Sequence, residues 1–290
     1  MKKTLLIVDT DIGSDIDDAL CLAYLLNQPK CEILGITTCS SEPEKRAEIA
    51  DSICHYAGKK IPIFPGLGNP ILGKQMQVSV HQYDVVKQLD HETVFPRNSA
   101  IDFMRRVIEQ HPFEVVILAI GPLTNIGALF AAYPHLIPMI KEVSFLGGSF
   151  FEEGLRFLTS EWNIKNDPVA AKIVFDSPVN IRVAGLDVSL KLRINCTDFI
   201  ADTSYASLKP VILYAKKFLE RTNDMYFHDA LAAAVLFCSD LCQFKHGSVI
   251  VDLGTESGRT YFVECQNGNA EVAYSVDAEK FFKHYYDTVS

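Results

Sequence analysis

The sequence has no apolar run approaching the roughly 20 residues that a membrane-spanning helix needs, and it has no excess of positive charge. Net charge is −9 and the pI is about 5.4. That balance argues against a nucleic-acid partner or an anionic membrane surface. Paired Cys-x-x-Cys motifs are absent. The eight cysteines are scattered, several within apolar segments, as at Cys21, Cys54 and Cys238. This is the pattern of reduced, buried thiols, and it predicts a cytoplasmic protein. Cys238 and Cys242 stand four apart on an expected helix, but without a second pair they read as structural rather than as a zinc site. The N-terminal Met1-Lys2-Lys3 followed by Thr4 to Val8 starts as a signal peptide does. Its apolar run stops at Asp9, too soon for an h-region. Repeats, linkers and low-complexity stretches are also missing.

What is present is a large apolar fraction, 48% of 290 residues, enough for one large core. Its most informative stretch is Leu5 to Ala19. A short apolar run reads as a buried strand. Five aspartates follow within ten residues, Asp9, Asp11, Asp15, Asp17 and Asp18, around Gly13. An apolar helix begins at Ala19. Strand, loop and helix open an α/β unit, whose ligands lie beyond the carboxyl ends of the strands. Five clustered carboxylates repel one another unless a cation lies among them. A hard divalent ion with oxygen ligands, calcium first, is the natural candidate. The plainer reading is a solvated acidic loop with Asp17 capping the helix.

Strands and helices alternate through the first two thirds. Strands are expected at Glu32 to Thr38, Ile61 to Phe64, Glu114 to Ile120, Glu142 to Leu146 and Val179 to Ala184. Helices are expected at Pro43 to Gly58, at Ser99 to His111 with Ser99 as cap, from Pro122 onward, and from Pro168 to Phe175 with Asp167 as cap. Pro65 to Asn98 reads as a long loop, functional or mobile. Later, Thr197 to Thr222 reads as a helix broken near Pro210, and His228 to Cys238 as a helix. Three strands in a meander follow, at Val249 to Leu253, Arg259 to Cys265 and Ala270 to Val276. A helix over Asp277 to Asp287 closes the chain. The fold class predicted is α/β, one domain over residues 1–290, with a mostly parallel central sheet flanked by helices.

Polar clusters fall at the strand ends: Asp9 to Asp18, Thr37-Thr38, Ile120 to Asn125, Glu161-Trp162-Asn163 and Asp187. In such a sheet these converge on one rim. His228-Asp229, opening a late helix, can close it. The chemistry suggested is metal-assisted attack of water on a polyol or glycosidic centre, with one carboxylate as base and His228 as acid. Taken alone, His228 is more simply a surface or cap histidine. Glu161 and Asn163 could be a polar loop packed on the single tryptophan, Asp187 a turn residue, and Asp167 only a cap.

With Gly121 to Ile126, Glu161 to Asn163, Asp167-Pro168, Gly185 to Asp187 and His228-Asp229 in order behind Asp9-Thr10-Asp11-Ile12-Gly13 and Asp17-Asp18-Ala19, the chain resembles the calcium-dependent nucleoside hydrolases over nearly its whole length. The resemblance implies hydrolysis of the N-glycosidic bond of a ribonucleoside, a calcium cofactor and a homo-oligomer, dimer or tetramer. It implies Asp11 as general base and metal contact. Asp17, Asp229 and the Ile120 carbonyl would be metal ligands, and Asp18 would be shared between metal and ribose. Glu161 and Asn163 would hold ribose hydroxyls, and His228 would lie near the leaving base.

Four departures stand out. Ser14-Asp15 lengthens the acidic loop by two residues over the short form Asp-x-Asp-x-Gly-x-Asp-Asp, so Asp15 competes with Asp17 as ligand. Glu42 stands where an Asn often reaches the ribose. The motif in the long loop is reduced to His81-Gln82-Tyr83-Asp84, where His81 either touches the base or is merely solvated. Leu155 stands where an Asn usually precedes Glu161. A modified base, such as a 7-deaza nucleoside, would fit these changes. The rival readings are a non-catalytic calcium-dependent nucleoside or sugar binder and, less well matched, a haloacid-dehalogenase-like phosphatase. An EF-hand fits poorly, since a strand rather than a helix precedes the loop.

Overall fold

A computed structural model describes residues 2–151, 160–202 and 205–290; Leu155 lies outside them. In chain order the strands are β1 (Thr4–Thr10), β2 (Cys31–Thr38), β3 (Ile63–Pro65), β4 (Val115–Ala119), β5 (Glu142–Leu146), β6 (Ile181–Ala184), β7 (Arg193–Asn195), β8 (Asp224–Tyr226), β9 (Cys242–Val251), β10 (Thr260–Glu264) and β11 (Ala270–Val276). The helices are α1 (Asp17–Asn27), α2 (Pro43–Tyr56), α3 (Tyr83–Val86), α4 (Ala100–Gln110), α5 (Thr124–Ala132), α6 (Trp162–Asn166), α7 (Pro168–Phe175), α8 (Leu186–Ser189), α9 (Cys196–Asp202), α10 (Lys209–Leu219), α11 (His228–Ala234) and α12 (Ala278–Val289). Among the described residues no helix is long and apolar enough to cross a membrane.

Nine strands form one sheet in the order β10-β9-β11-β6-β5-β4-β1-β2-β3. Pairing is parallel from β11 through β3 and antiparallel at β9. The mostly parallel α/β sheet expected from the sequence is therefore present. β1 lies between β2 and β4, so the chain winds one way through β2 and β3 and the other way from β4. This reversal is the switch point at which such sheets open a crevice beyond their carboxyl ends.

Both faces of the sheet are covered. Leu6 and Val8 of β1, with Val116 and Leu118 of β4, join α1, α2, α10, α11 and α12 in one apolar layer. Ile7, Val115 and Ile117 point the other way, against α4, α5 and α7. Alternate residues meet opposite layers, so an unbroken apolar run is the required pattern for a strand buried on both sides.

Several sequence expectations change in detail. The three late strands are not a meander, because β9 is ten residues long and lies between β10 and β11. β11 thereby reaches β6 in parallel and extends the main sheet. Cys238 follows α11 and Cys242 opens β9, so the two do not share a helix. No cysteine is in a disulfide. Ser99 occupies the N-cap position of α4 as expected, but its hydroxyl bonds the Pro96 carbonyl rather than a helix N–H. Pro122 precedes α5 rather than opening it. The two helical pieces expected around Pro210 are α9 and α10; the break lies just before Pro210, which sits in the first turn of α10, where its missing N–H costs nothing. Asp167 does cap α7, accepting from the Ala170 N–H at 3.0 Å.

Candidate active site

The acidic loop leaves β1 at the switch point and turns at Gly13, whose φ of +110° suits glycine. Gly121, at the end of β4, lets the two loops touch. A Cβ there would come within 2.8 Å of the Asp11 backbone nitrogen and 2.9 Å of its carboxylate. The loop then enters α1, placing Asp17 and Asp18 in the first helical turn. Asp229 occupies the first turn of α11, which packs on α1. The positive ends of both helix dipoles favour negative charge at these positions.

Asp17, Asp18 and Asp229 each offer a carboxylate oxygen, and the three oxygens lie within 4.8 Å of one another. All three residues are buried. Burial, then repulsion among Asp11, Asp15, Asp17 and Asp18, holds their carboxyls far above the ordinary carboxylate range. Thr10 donates its hydroxyl to Asp18. One oxygen of Asp229, Oδ1, is buried without a partner. A buried, mutually repelling set of hard oxygen donors with a spare acceptor fits a hard cation. Asp15 is exposed, and its carboxylate accepts from the Ile16 N–H at 2.6 Å. Of the two competing aspartates, only Asp17 lies in the three-residue group.

Asp11 is buried beside this group. Burial raises its carboxyl, and the nearby Arg46 guanidinium opposes the rise. Arg46, from α2, is wholly buried. It donates to the Asp11 carbonyl, to Ile12 O at 3.0 Å, to Ser14 Oγ at 3.0 Å and to Ser41 O at 2.8 Å. In the sequence Arg46 is one charge in a run of charges, where nothing distinguishes it from Lys45. Asp9 supports the loop from below. Its Oδ1 accepts from Thr37 at 2.5 Å and from Asn125 Nδ2 at 2.8 Å, and burial pushes its carboxyl up to about 7. Asn125 and Thr124 thus act through their side chains; Thr124 bonds Asp167 at 2.9 Å.

Glu161 caps α6. Its carboxylate accepts from the N–H groups of Asn163 at 2.8 Å, Ile164 at 3.1 Å and Gly148 at 3.2 Å. Burial nevertheless raises it to about 7. Asn163 Nδ2 donates to the carbonyls of Ile120 at 3.3 Å and Leu146 at 3.1 Å, so it touches the same carbonyl expected to face the metal. Asp187 plays the turn role, receiving the N–H groups of Phe150 and Phe151 at 2.8 and 2.7 Å.

His228 stacks on Tyr226, ring centroids 5.0 Å apart, and its Nδ1 meets Ser189 Oγ at 2.7 Å. Burial lowers its pKa to about 4, so the ring is neutral at pH 7. Glu42 is not drawn into the group: it is exposed and paired with Lys45. Its backbone φ is +55° and that of Ser40 is +68°, an uncommon conformation for such residues. His81 is half-buried, with Nε2 unpartnered.

Buried carboxylates at the switch point of a doubly wound sheet define an α/β enzyme that works with acidic groups. The chain belongs to the inosine-uridine preferring nucleoside hydrolase family, whose sequence model matches residues 6–283. It is thus an N-glycosyl hydrolase by family. It is similar to the non-specific ribonucleoside hydrolase RihC of Klebsiella pneumoniae (strain 342), 30% identical over 295 residues, covering 95% of each chain. It is also similar to uridine nucleosidase 1 of Arabidopsis thaliana, 28% identical over 267 residues, covering 87% of this chain and 79% of the relative. The purine-preferring ribonucleoside hydrolase of Gardnerella vaginalis shares the fold with a TM-score of 0.84 at 23% identity, covering 98% of both chains.

Proposed function

We propose that this protein hydrolyses the N-glycosidic bond of a ribonucleoside to base and ribose, with Asp11 as general base and calcium as cofactor. The observation carrying this reading is the buried group of Asp17, Asp18 and Asp229, three carboxylate oxygens within 4.8 Å of one another, beside Asp11. Asp17, Asp229 and the Ile120 carbonyl would hold the ion, with Asp11 at its edge and Asp18 shared with the sugar. When bound, calcium would clamp the sugar diol and acidify a water.

Cleavage of an N-glycoside builds positive charge on the sugar carbon and ring oxygen. Asp11, whose carboxyl is raised by burial and drawn back by the Arg46 guanidinium, takes the proton of the attacking water, and the surrounding carboxylates stabilise the developing cation. Glu161 and Asn163, fixed at the start of α6, orient the ribose hydroxyls. A histidine held neutral is a weak acid, so His228 contributes to placing the leaving base, which departs with the bonding pair and takes its proton from solvent. His81 is the base contact on the opposite segment. We further propose a single domain that assembles as a homo-oligomer in the cytoplasm and serves nucleoside salvage.

The test is a nucleoside panel, modified bases included, assayed for free ribose with and without a calcium chelator. The proposal expects ribose release that stops on chelation and returns with calcium. Release indifferent to chelation would remove the metal from the reaction. Nucleoside binding without release would make the protein a binder.

A further inference from the structure

The two-residue lengthening of the acidic loop is not absorbed by the chemistry above. Asp15 stands outside the carboxylate group, and Ser14 carries no reacting function. Ser14 is instead where separate parts of the chain meet. Its hydroxyl oxygen accepts from Arg46 Nη1 of α2 at 3.0 Å and from Gln77 Nε2 of the 65–98 segment at 2.8 Å. Its carbonyl accepts from Arg221, just past α10, at 3.1 Å. The neighbouring Gly13 carbonyl takes the Gln82 N–H at 2.9 Å.

The 65–98 segment was expected to be functional or mobile, and at its far end it is also fastened. Tyr83 Oη donates to Glu48 Oε2 at 2.8 Å, His91 Nε2 lies 3.3 Å from the same oxygen, and the Glu92 N–H reaches Asp51 at 2.7 Å. The ties to Glu48 and Asp51 hold it to α2. The ties to Ser14 and Gly13 hold it to the catalytic loop. Between Gln77 and Gln82, both tied to that loop, lies His81.

We propose that Ser14 is a positioning residue: it sets the register of the 77–82 stretch against the acidic loop, and so places the base-contacting His81 over the sugar site. This deepens the reading of the protein as a nucleoside hydrolase and rests on it for its kinetic arm. A sugar-only substrate does not need the stretch placed; a nucleobase does. Losing the Ser14 hydroxyl frees the Gln77 amide and one Arg46 bond, while Arg46 still holds the Asp11, Ile12 and Ser41 carbonyls, so the carboxylates keep their backbone.

The experiment uses Ser14→Ala, Gln77→Ala and the double variant. Backbone hydrogen exchange is read on each full-length protein, and KM and kcat are read with uridine, inosine and p-nitrophenyl riboside. Exchange at Gln82 and through α3 is expected to quicken about fivefold in each single variant, the factor one ordinary hydrogen bond carries, and no further in the double variant. KM for the nucleosides should rise by a similar factor with kcat little changed, while p-nitrophenyl riboside is processed as by wild type. Equal losses on nucleoside and p-nitrophenyl riboside, or additive effects of the two changes, would overturn the assignment. If wild type releases ribose from none of the three and from no nucleoside of the modified-base panel, the proposed function fails. Exchange then decides the positioning role alone: unchanged protection at Gln82 in Ser14→Ala refutes it.

Discussion

Replacing Glu161 by Gln should make the ion-free protein more stable and the enzyme worse. The Glu161 carboxylate is buried and held up at about 7, against an ordinary value of 4.5, with loss of solvation the largest cause. Between those two values the folded protein binds a proton that the unfolded chain has released. Native stability therefore falls as pH rises through that window, and the loss is complete above about 7. At about 1.4 kcal/mol per pH unit, ionising this group costs the fold on the order of 2–3 kcal/mol between pH 5 and pH 8. Glutamine keeps one acceptor oxygen, enough for the Ile164 and Gly148 N–H groups but not for that of Asn163 as well, and has no charge to desolvate. Urea unfolding of wild type and Glu161→Gln, both with chelator, at pH 5 and pH 8, isolates the effect, because every other carboxylate contributes equally to both proteins. The variant should gain about 2–3 kcal/mol relative to wild type on going from pH 5 to pH 8. Its kcat/KM on a nucleoside should drop, since an amide holds a ribose hydroxyl less firmly than a carboxylate. A variant whose stability difference is the same at both pH values would show that the three N–H bonds outweigh burial and that Glu161 is ionised in the native state.

Asp11→Asn should lower kcat by about 10²–10⁴, the usual worth of a positioned base, with steady-state ribose release as the readout. Unimpaired release would take the base role from Asp11. Asp229→Asn relieves one of three crowded negative charges, so the ion-free protein should melt higher while the rise in Tm on adding calcium shrinks; thermal melts with and without calcium measure both. Arg46→Met leaves four acceptors without their buried donor, and should cost on the order of 3–5 kcal/mol in urea unfolding. A loss under about 1 kcal/mol would mean that the loop holds its own shape.

The fold was readable because buried parallel strands announce themselves as unbroken apolar runs. Thr4–Thr10 and Val115–Ala119 do so within a residue or two of their limits. The late strands were harder to place, since β9 and β11 pair across a connection that passes over β10, and local pattern carries no information on strand order. The aspartates pointed to the rim because like charges so concentrated need a partner. Arg46 stayed hidden because its burial is decided by where α2 packs, and in sequence it is one charge in a run of charges. The side-chain roles of Thr37 and Asn125 toward Asp9 escaped for the same reason: both partners are near only after β2 and α5 have docked on either side of β1.

The carboxylate group joins residues more than two hundred positions apart, Asp17 and Asp18 near one end of the chain and Asp229 toward the other. A cation held there would act as a clasp on a very long loop, drawing the last helices onto the first strand. Closing such a loop is entropically expensive for an unfolded chain but adds little once the sheet has formed. The same ion that serves chemistry would thus favour the finished topology over half-built ones, so neither half of the chain can form the site alone.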